Sequence, residues 1–199
     1  MDGGFDEDRA YIYTIGTSTG RTVASGNTKG ILALRVAPSV DNGIADEFGT
    51  RELTNRMQLV MRDCQIVANG VFFVELVLNP TVTIQTSWEN VGGTSLAQYA
   101  ELNNNCELVG GEVVYAFYAG AGGFGAGAST VPLEDVKEIS NSVLGGGVSN
   151  LVVASGANPT GIFPDGPEVL AVRVTNIAGG FGIGTRSADF KFSWTEAQA

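Results

Sequence analysis

The stretch ADFKFSW at residues 188–194 decides the fold class, because it alternates strictly between apolar and polar side chains. The apolar members are Ala188, Phe190, Phe192 and Trp194. The intervening members are Asp189, Lys191 and Ser193. Successive side chains of a β-strand point to opposite faces of its sheet, so this period of two predicts a strand with one buried face.

Seven further segments, all earlier in the chain, are rich in β-branched, aromatic and aliphatic residues, as strands are. They are residues 10–15, 30–37, 53–67, 71–78, 81–86, 112–119 and 168–175. Turn signals such as Asn69-Gly70 and Gly110-Gly111 separate them. Strands divided by such turns, without alternating helices, favour an antiparallel β-sandwich or a jelly roll.

Two short helices are predicted beside the strands. The segment from Pro132 to Leu144 has proline near its start, apolar side chains at three- and four-residue spacing, and Gly145 as a stop. The segment from Ser95 to Leu102 is the second candidate. The prediction is therefore all-β: a single domain with an antiparallel, jelly-roll-like β-sandwich and one or two short helices. Residues 1–29 would be an N-terminal arm and first strand, and residues 30–199 the sandwich.

The composition excludes several classes of function. The chain of 199 residues has no His, which rules out a Ser-His-Asp triad, a Cys-His pair and an imidazole metal site. Its 11 basic residues are scattered among 21 acidic ones, for a net charge of -10, so it lacks the electrostatic footprint of a nucleic-acid binder. Its 28 glycines and a charged fraction of 16% suit a β-protein with many turns.

Residues 113–133 carry no charge, which raises the question of a membrane span. Because five glycines interrupt this run, it is predicted to be a buried strand followed by a glycine loop, with no membrane contact. The GAGGFG sequence at residues 120–125 matches a dinucleotide-binding pattern, but no helix start follows it. The carboxylates of residues 2–8 lack the spacing of a calcium loop. No cofactor and no metal ion is expected.

The chain has two cysteines, Cys64 and Cys106, too few for a thiolate metal cluster or a disulfide framework. Each is followed closely by apolar residues, so both are predicted to be reduced thiols within the core. A disulfide between Cys64 and Cys106 is the alternative.

Two glycine-rich segments echo each other along the chain. GGFGAG at residues 122–127 and GGFGIG at residues 179–184 start 57 residues apart, and each follows a predicted strand. The echo indicates two hairpins of similar shape or a duplicated sheet edge, unless it is a chance recurrence in a glycine-rich chain. Phe124 and Phe181 would anchor a partner from exposed loop tips, or each would fold back over its own hairpin. Trp88, at a strand end, is the third candidate contact residue.

Six segments between Ile31 and the C-terminus occur in a distinctive order. They are ILALRVAPSVDNG (31–43), GTRELTNRMQL (49–59), NVGGTSLAQY (90–99), NSVLGGG (141–147), PDGPEVL (164–170) and SWTEAQA (193–199). Together they resemble a domain found in virion structural proteins of marine tailed phages, especially the contractile-tailed phages of cyanobacteria. Residues 1–30 are not covered by this resemblance. In that family the domain often closes much longer chains, so this chain would be a free-standing version or a piece.

The resemblance implies assembly rather than catalysis, and it carries no catalytic motif over to this chain. The implied function is a non-enzymatic virion structural protein of the capsid, neck, tail or fibre. The implied partners are further copies of the chain, as a homo-oligomer, and other virion proteins. The implied location is the virion, after assembly in the host cytoplasm.

Two other functions compete with this interpretation. The first is a receptor- or glycan-binding tip, in which Phe124, Phe181 or Trp88 contacts a host-surface glycan. The second is a β-fold enzyme that degrades glycans. Such an enzyme needs two convergent carboxylates, and no sequence pattern singles out a pair.

Overall fold

The structure, a computed structural model, describes residues 12–37, 39–40, 53–54, 57–82, 88–92, 95–102, 106–120, 127–132, 144–145, 168–177 and 184–198. Within these residues the chain forms sixteen β-strands and no helix. In chain order they are β1 (Ile12–Gly16), β2 (Arg21–Val23), β3 (Thr28–Val36), β4 (Ser39–Val40), β5 (Leu53–Thr54), β6 (Met57–Ala68), β7 (Phe72–Leu78), β8 (Thr81–Val82), β9 (Glu89–Asn90), β10 (Ala97–Glu101), β11 (Leu108–Val109), β12 (Glu112–Ala119), β13 (Gly127–Pro132), β14 (Leu144–Gly145), β15 (Val169–Asn176) and β16 (Arg186–Gln198). Each of the eight segments predicted as strands overlaps at least one of them.

Most of these strands belong to two antiparallel sheets of six strands each. Sheet 1 has the order β1-β16-β6-β13, with the short strands β2 beside β16 and β14 beside β6. Sheet 2 has the order β12-β7-β15-β3-β10-β9. The pairs β8–β11 and β4–β5 form two small ribbons.

The main core lies between the two sheets and contains the alternating stretch of β16. Phe190, Phe192 and Trp194 are at most 2% exposed, while the intervening Asp189 and Lys191 are half-buried. Sheet 2 contributes an opposing apolar set, which includes Ile31, Leu34, Phe72 and Leu76. Removing apolar surface from water contributes roughly 25 cal/mol per Å², so this shared core holds the sheets together. The antiparallel β-sandwich is thus confirmed, and the jelly-roll pattern of connections stays a prediction.

Four connections carry the chain from one sheet to the other at the same end of the sandwich. They join β2 to β3, β6 to β7, β12 to β13, and β15 to β16. The strands occur in matching order, β2-β16-β6-β13 in sheet 1 and β3-β15-β7-β12 in sheet 2. Ala119 and Asn176 both pair with Phe72, and Thr175 pairs with Thr28, so the strand ends that the four connections join lie side by side. We call each of these connections an arch. We call this end of the sandwich the arch end.

Hydrogen bonds join neighbouring arches to one another. The backbone pairs are Gly26 N with Asn176 O at 2.9 Å, Asn176 N with Asn27 O at 3.1 Å, Ile177 N with Val71 O at 3.0 Å, and Asn69 N with Ser187 O at 3.1 Å. The side chain of Asn176 is buried, and its Nδ2 donates to the carbonyl oxygens of Val23 at 2.8 Å and Gly184 at 3.2 Å. One buried amide therefore connects the β2–β3 arch to the β15–β16 arch.

A second, smaller core covers the outer face of sheet 2, the face turned away from sheet 1. Its buried members are Ala33, Ala100, Leu102, Cys106, Leu108 and Ala171. The chain that covers this face approaches β3 closely at Gly30, where a Cβ atom would lie 2.6 Å from Leu102 Cδ1. Small side chains in the sheet thus make room for larger ones from the covering layer.

The two cysteines are free and buried, as predicted. Cys64 belongs to the core between the sheets, whereas Cys106 belongs to the core on the outer face of sheet 2. Because sheet 2 separates the two thiols, the alternative disulfide is not formed.

The helix predicted from Ser95 to Leu102 is wrong. Residues Ala97–Glu101 are β10, which pairs with β3 on one side and with β9 on the other. Residues three apart share a face of a helix but lie on opposite faces of a strand. Ala97 is buried in the main core and Ala100 in the outer core, so this strand is buried on both faces.

The helix predicted from Pro132 to Leu144 is also wrong, because its first and last residues lie in strands. Pro132 is the last residue of β13, where it pairs with Asp63 of β6, and Leu144 belongs to β14. Proline, which has no backbone N–H, is tolerated at the end of an edge strand of this kind. Residues 133–143 lie outside the described residues.

Glu196 connects the two sheets at the end opposite the arches, which leads to a stability prediction. Its carboxylate accepts hydrogen bonds from Ser95 Oγ at 2.5 Å, Leu96 N at 3.1 Å and Trp194 Nε1 at 3.1 Å. Glu196→Ala leaves these donors without their acceptor, so we expect urea denaturation to give a free energy of unfolding lower by about 2 kcal/mol.

The matched control for Glu196 is Glu89→Ala. Glu89 is exposed and accepts a hydrogen bond from Tyr99 Oη at 2.8 Å. Its removal is expected to cost less than about 0.5 kcal/mol, because surface substitutions away from buried features have small effects. Equal losses in the two variants would contradict a role for Glu196 in joining the sheets.

Candidate partner-contact surface

The loops that carry Phe124 and Phe181 attach to the arch end. Both phenylalanines lie outside the described residues, but the strands around them show where each loop begins and ends. The first loop leaves β12 after Ala119, and the second leaves β15 after Asn176. Both of these residues pair with Phe72, the first residue of β7. The two loops therefore start on either side of β7, at the same end of the strands of sheet 2.

The two similar glycine-rich segments occur in equivalent connections of the fold. Each segment follows a strand of sheet 2 and leads into a strand of sheet 1, as β12 leads to β13 and β15 leads to β16. They are arches rather than the predicted hairpins, because the joined strands lie in different sheets. The two arches run in the same direction and flank the β6–β7 arch, so similar sequences occupy equivalent positions.

Exposed apolar side chains surround the bases of these loops. Val71 is 47% exposed, Ile177 is 38% exposed, and Tyr118 is 72% exposed. Ile177 and Val71 are joined by a backbone hydrogen bond, and Gly120 packs against Val71. Clustered apolar residues at an exposed site often mark an interaction surface. The arch end thus has this feature within its described residues.

Trp88 lies at the end of sheet 2 away from the residues where the two phenylalanine loops begin. It packs half-buried against the outer core, and the guanidinium carbon of Arg35 lies 4.1 Å from its ring centroid. Arg35 pairs with Val169 at the start of β15, whereas the arches lie where β15 ends. The structure therefore separates Trp88 from the strand ends where the loops of Phe124 and Phe181 begin.

Arg35 changes what Trp88 is able to contact. Its Nε and Nη2 donate to Gln98 Oε1 at 3.1 and 2.9 Å, which holds the guanidinium in place over the indole ring. Burial lowers the pKa of Arg35 to about 10, so the group still carries its charge at neutral pH. The ring face that Arg35 covers is occupied by a cation–π contact and is closed to a sugar.

A polar cleft of about 450 Å³ lies on the outer face of sheet 2 and was not anticipated from the sequence. Arg173 Nε and Nη2 donate to the two carboxylate oxygens of Glu75, each at 2.8 Å. The cleft lining also includes the charged residues Lys29 and Glu107 and the buried residues Cys106 and Leu108. Because Glu75 and Arg173 satisfy each other, the arrangement suits a structural ion pair better than acid–base chemistry.

The sequence contained a signal for this ion pair. Glu75 is the only charge in VFFVELVL, and Arg173 is the only charge within residues 169–175. Two isolated, opposite charges in strongly apolar strands indicate a cross-strand partner, since an unpaired charge is costly there. The register of β7 against β15 places the two residues directly opposite each other.

The thiol of Cys64 is a poor nucleophile. Burial raises its pKa to about 12, with a smaller contribution from the charge of Asp63, so it remains protonated at neutral pH. The described residues contain no group of three or more acidic or Cys side chains placed to hold a metal ion. Nor does the described part of the chain include a helix with the length and apolarity that crossing a membrane requires.

Comparison with known proteins does not assign the chain to a family. No protein-family model matches the sequence, and no curated protein matches it significantly. The geometry of the sandwich and the resemblance in its segments are therefore the grounds for a functional proposal.

Proposed function

We propose that this chain is a non-enzymatic structural component of a tailed-phage particle, in the capsid, neck, tail or fibre. It acts by contact with further copies of itself and with other virion proteins. The segments that resemble the phage domain supply strands to both sheets: ILALRVA enters β3, SLAQY enters β10, and SWTEAQA ends β16. The resemblance thus includes strands of both sheets rather than one local motif.

The observation that carries the proposal is the row of four arches. Two loops with the sequence GGFG begin at neighbouring positions at one end of sheet 2, because β12 and β15 both pair with β7. Function is often placed on loops that a rigid scaffold positions. Two loops that each contain a phenylalanine, with the exposed Val71 and Ile177 beside their bases, suit docking onto another protein.

The acidic character of the chain is consistent with contact through such loops. A net charge of -10 keeps copies soluble and apart wherever their charged surfaces meet. The two loop segments at residues 121–126 and 178–183 contain no charged residue. Docking through them would avoid the repulsion that the remaining surface produces.

The proposal is tested in particles assembled with a tagged chain in place of the resident copy. Replacing both loop aromatics, Phe124→Ala with Phe181→Ala, is expected to lower the copies per particle at least tenfold, because interface anchors each contribute about 2 kcal/mol or more. Mass spectrometry of purified particles measures the copy number. Ile12→Ala, which truncates an exposed residue of sheet 1, is the matched control and should leave incorporation unchanged.

Two outcomes would contradict the proposal. One is a wild-type chain that never copurifies with particles. The other is unchanged incorporation of the doubly substituted chain. A third result separates the structural role from the receptor- or glycan-binding alternative: particles with normal copy number that no longer adsorb to host cells would favour a tip protein.

A further inference from the structure

The strand β12 lies at one edge of sheet 2, and no described strand pairs with its free side. On its other side β12 pairs with β7, and this pairing is regular from Tyr115 to Ala119, after a register shift between Val113 and Tyr115. The other edge of an antiparallel strand presents a row of N–H and C=O groups. Such an edge accepts a further strand by main-chain hydrogen bonds.

The regular part of β12 lacks the features that usually protect an edge. Natural edge strands are blunted with Lys, Pro or other charged side chains. The sequence from Tyr115 to Ala119 is YAFYA, with neither charge nor proline, and Tyr118 is 72% exposed. The register shift lies before this segment and leaves its five residues regularly paired with β7.

We propose that β12 pairs antiparallel with β12 of a second copy, centred on Phe117. This register places Tyr118 opposite Ala116 of the other copy, Tyr115 opposite Ala119, and Phe117 opposite itself. Each large ring except the central one then faces a small side chain. The two sheets join into one sheet of twelve strands, six from each copy.

In this arrangement the residues that meet across the two strands lie on the same face of their sheets. Ala116 and Tyr118 pair with Glu75 and Phe73 of β7 on the outer face of sheet 2. Phe117 lies on the inner face, against the main core. A two-fold axis perpendicular to the sheet keeps outer faces together and inner faces together, as an isologous contact requires.

The absence of charge from Tyr115 to Ala119 allows a second copy to occupy this edge. A chain with a net charge of -10 repels its own copies, so a self-contact needs an uncharged segment. Glu75, the nearest carboxylate on the outer face, is already paired with Arg173. The inference deepens the proposed function, on which it rests for the need to self-associate, by naming the surface that copies share.

The test is the molar mass of the full chain in solution across a concentration series, measured by light scattering and sedimentation. The wild type is expected at twice the chain mass of 20.7 kDa. The variant A116K/Y118K places lysines directly opposite lysines, twice per dimer. Since like charges opposite each other destabilise strand pairs, its dimer dissociation constant should rise about tenfold or more. I12K, at a 67% exposed position of β1, is the matched control and should remain dimeric.

A mixing experiment shows whether the register is correct and whether the substituted chains are folded. A116E/Y118E alone should be monomeric, but mixed with A116K/Y118K it should form a one-to-one dimer, because each Glu then faces a Lys. A monomeric wild type, a dimer indifferent to A116K/Y118K, or no dimer on mixing would overturn the proposal. Particles that still contain the wild-type chain under any of these results would leave the proposed function standing.

Discussion

Asn176→Asp is expected to lower the free energy of unfolding by about 3 kcal/mol at neutral pH, because it places a carboxylate among carbonyl oxygens. The amide of Asn176 donates to the carbonyl oxygens of Val23 and Gly184, and the residue is 3% exposed. An ionised Asp has no hydrogen to donate there. Both carbonyls lose a partner, and the new charge faces like partial charges in a poorly hydrated site.

The loss should depend on pH in a definite direction. Burial and the carbonyl oxygens raise the pKa of the introduced carboxyl in the folded state above its unfolded value of about 3.9. The folded state therefore binds more protons, and stability relative to wild type falls as pH rises from the unfolded pKa through the folded one. Below both values the difference is smallest, because a protonated Asp is able to donate one hydrogen bond.

Urea denaturation of wild type and variant at several pH values between about 4 and 8 measures this dependence. The control is Asn90→Asp, which makes the same chemical change at an exposed residue of β9. It should cost less than about 0.5 kcal/mol at every pH. A pH-independent loss in Asn176→Asp would contradict a buried carboxylate, and equal losses in the two variants would contradict the role of Asn176 in joining the arches.

Gly111→Ala is expected to cost roughly 2–5 kcal/mol, the sum of backbone strain and overpacking. Gly111 has a φ of +79°, which L side chains rarely adopt. A Cβ atom there would lie 2.7 Å from Val77 Cγ1, 2.8 Å from the Leu78 carbonyl oxygen and 2.9 Å from Pro80 Cα. Two of these three atoms belong to backbone and have little room to move.

Gly110 offers a control for Gly111 within the same turn. Its φ is +69°, but a Cβ atom there would have nothing within 4 Å. Gly110→Ala should therefore show the backbone strain alone, about 1–2 kcal/mol. The thermal midpoint and urea denaturation of both variants give the comparison. If the two substitutions cost the same, the close contact with β7 and Pro80 does not restrict the turn.

Local patterns predicted the strands well where one face is buried and the other is polar. The alternation from Ala188 to Trp194 placed a strand correctly, and the apolar run of residues 112–119 matches β12 from end to end. Short strands such as β2 and β11 escaped notice, because two or three residues carry no periodicity. The region of β10 failed because both of its faces are buried, which removes the alternation that distinguishes a strand from a helix.

The candidate contact surface could be predicted only in part. The glycines around Phe124 and Phe181 indicated two similar loops, and their sequence alone supports that much. That both loops attach beside Phe72 follows from the pairing of β12 and β15 with β7. The sequence offered no means of separating Trp88 from them, since its position depends on the packing of Arg35.

The sequence by itself determined that the chain is a β-protein with buried thiols, since periodicity and apolar composition act between neighbouring residues. The tertiary structure decided the four arches, the register that brings Glu75 opposite Arg173, and the edge of β12 that no described strand covers. These features depend on the register between strands that are far apart along the chain. Register is selected by the burial of two whole faces at once, which no local pattern contains.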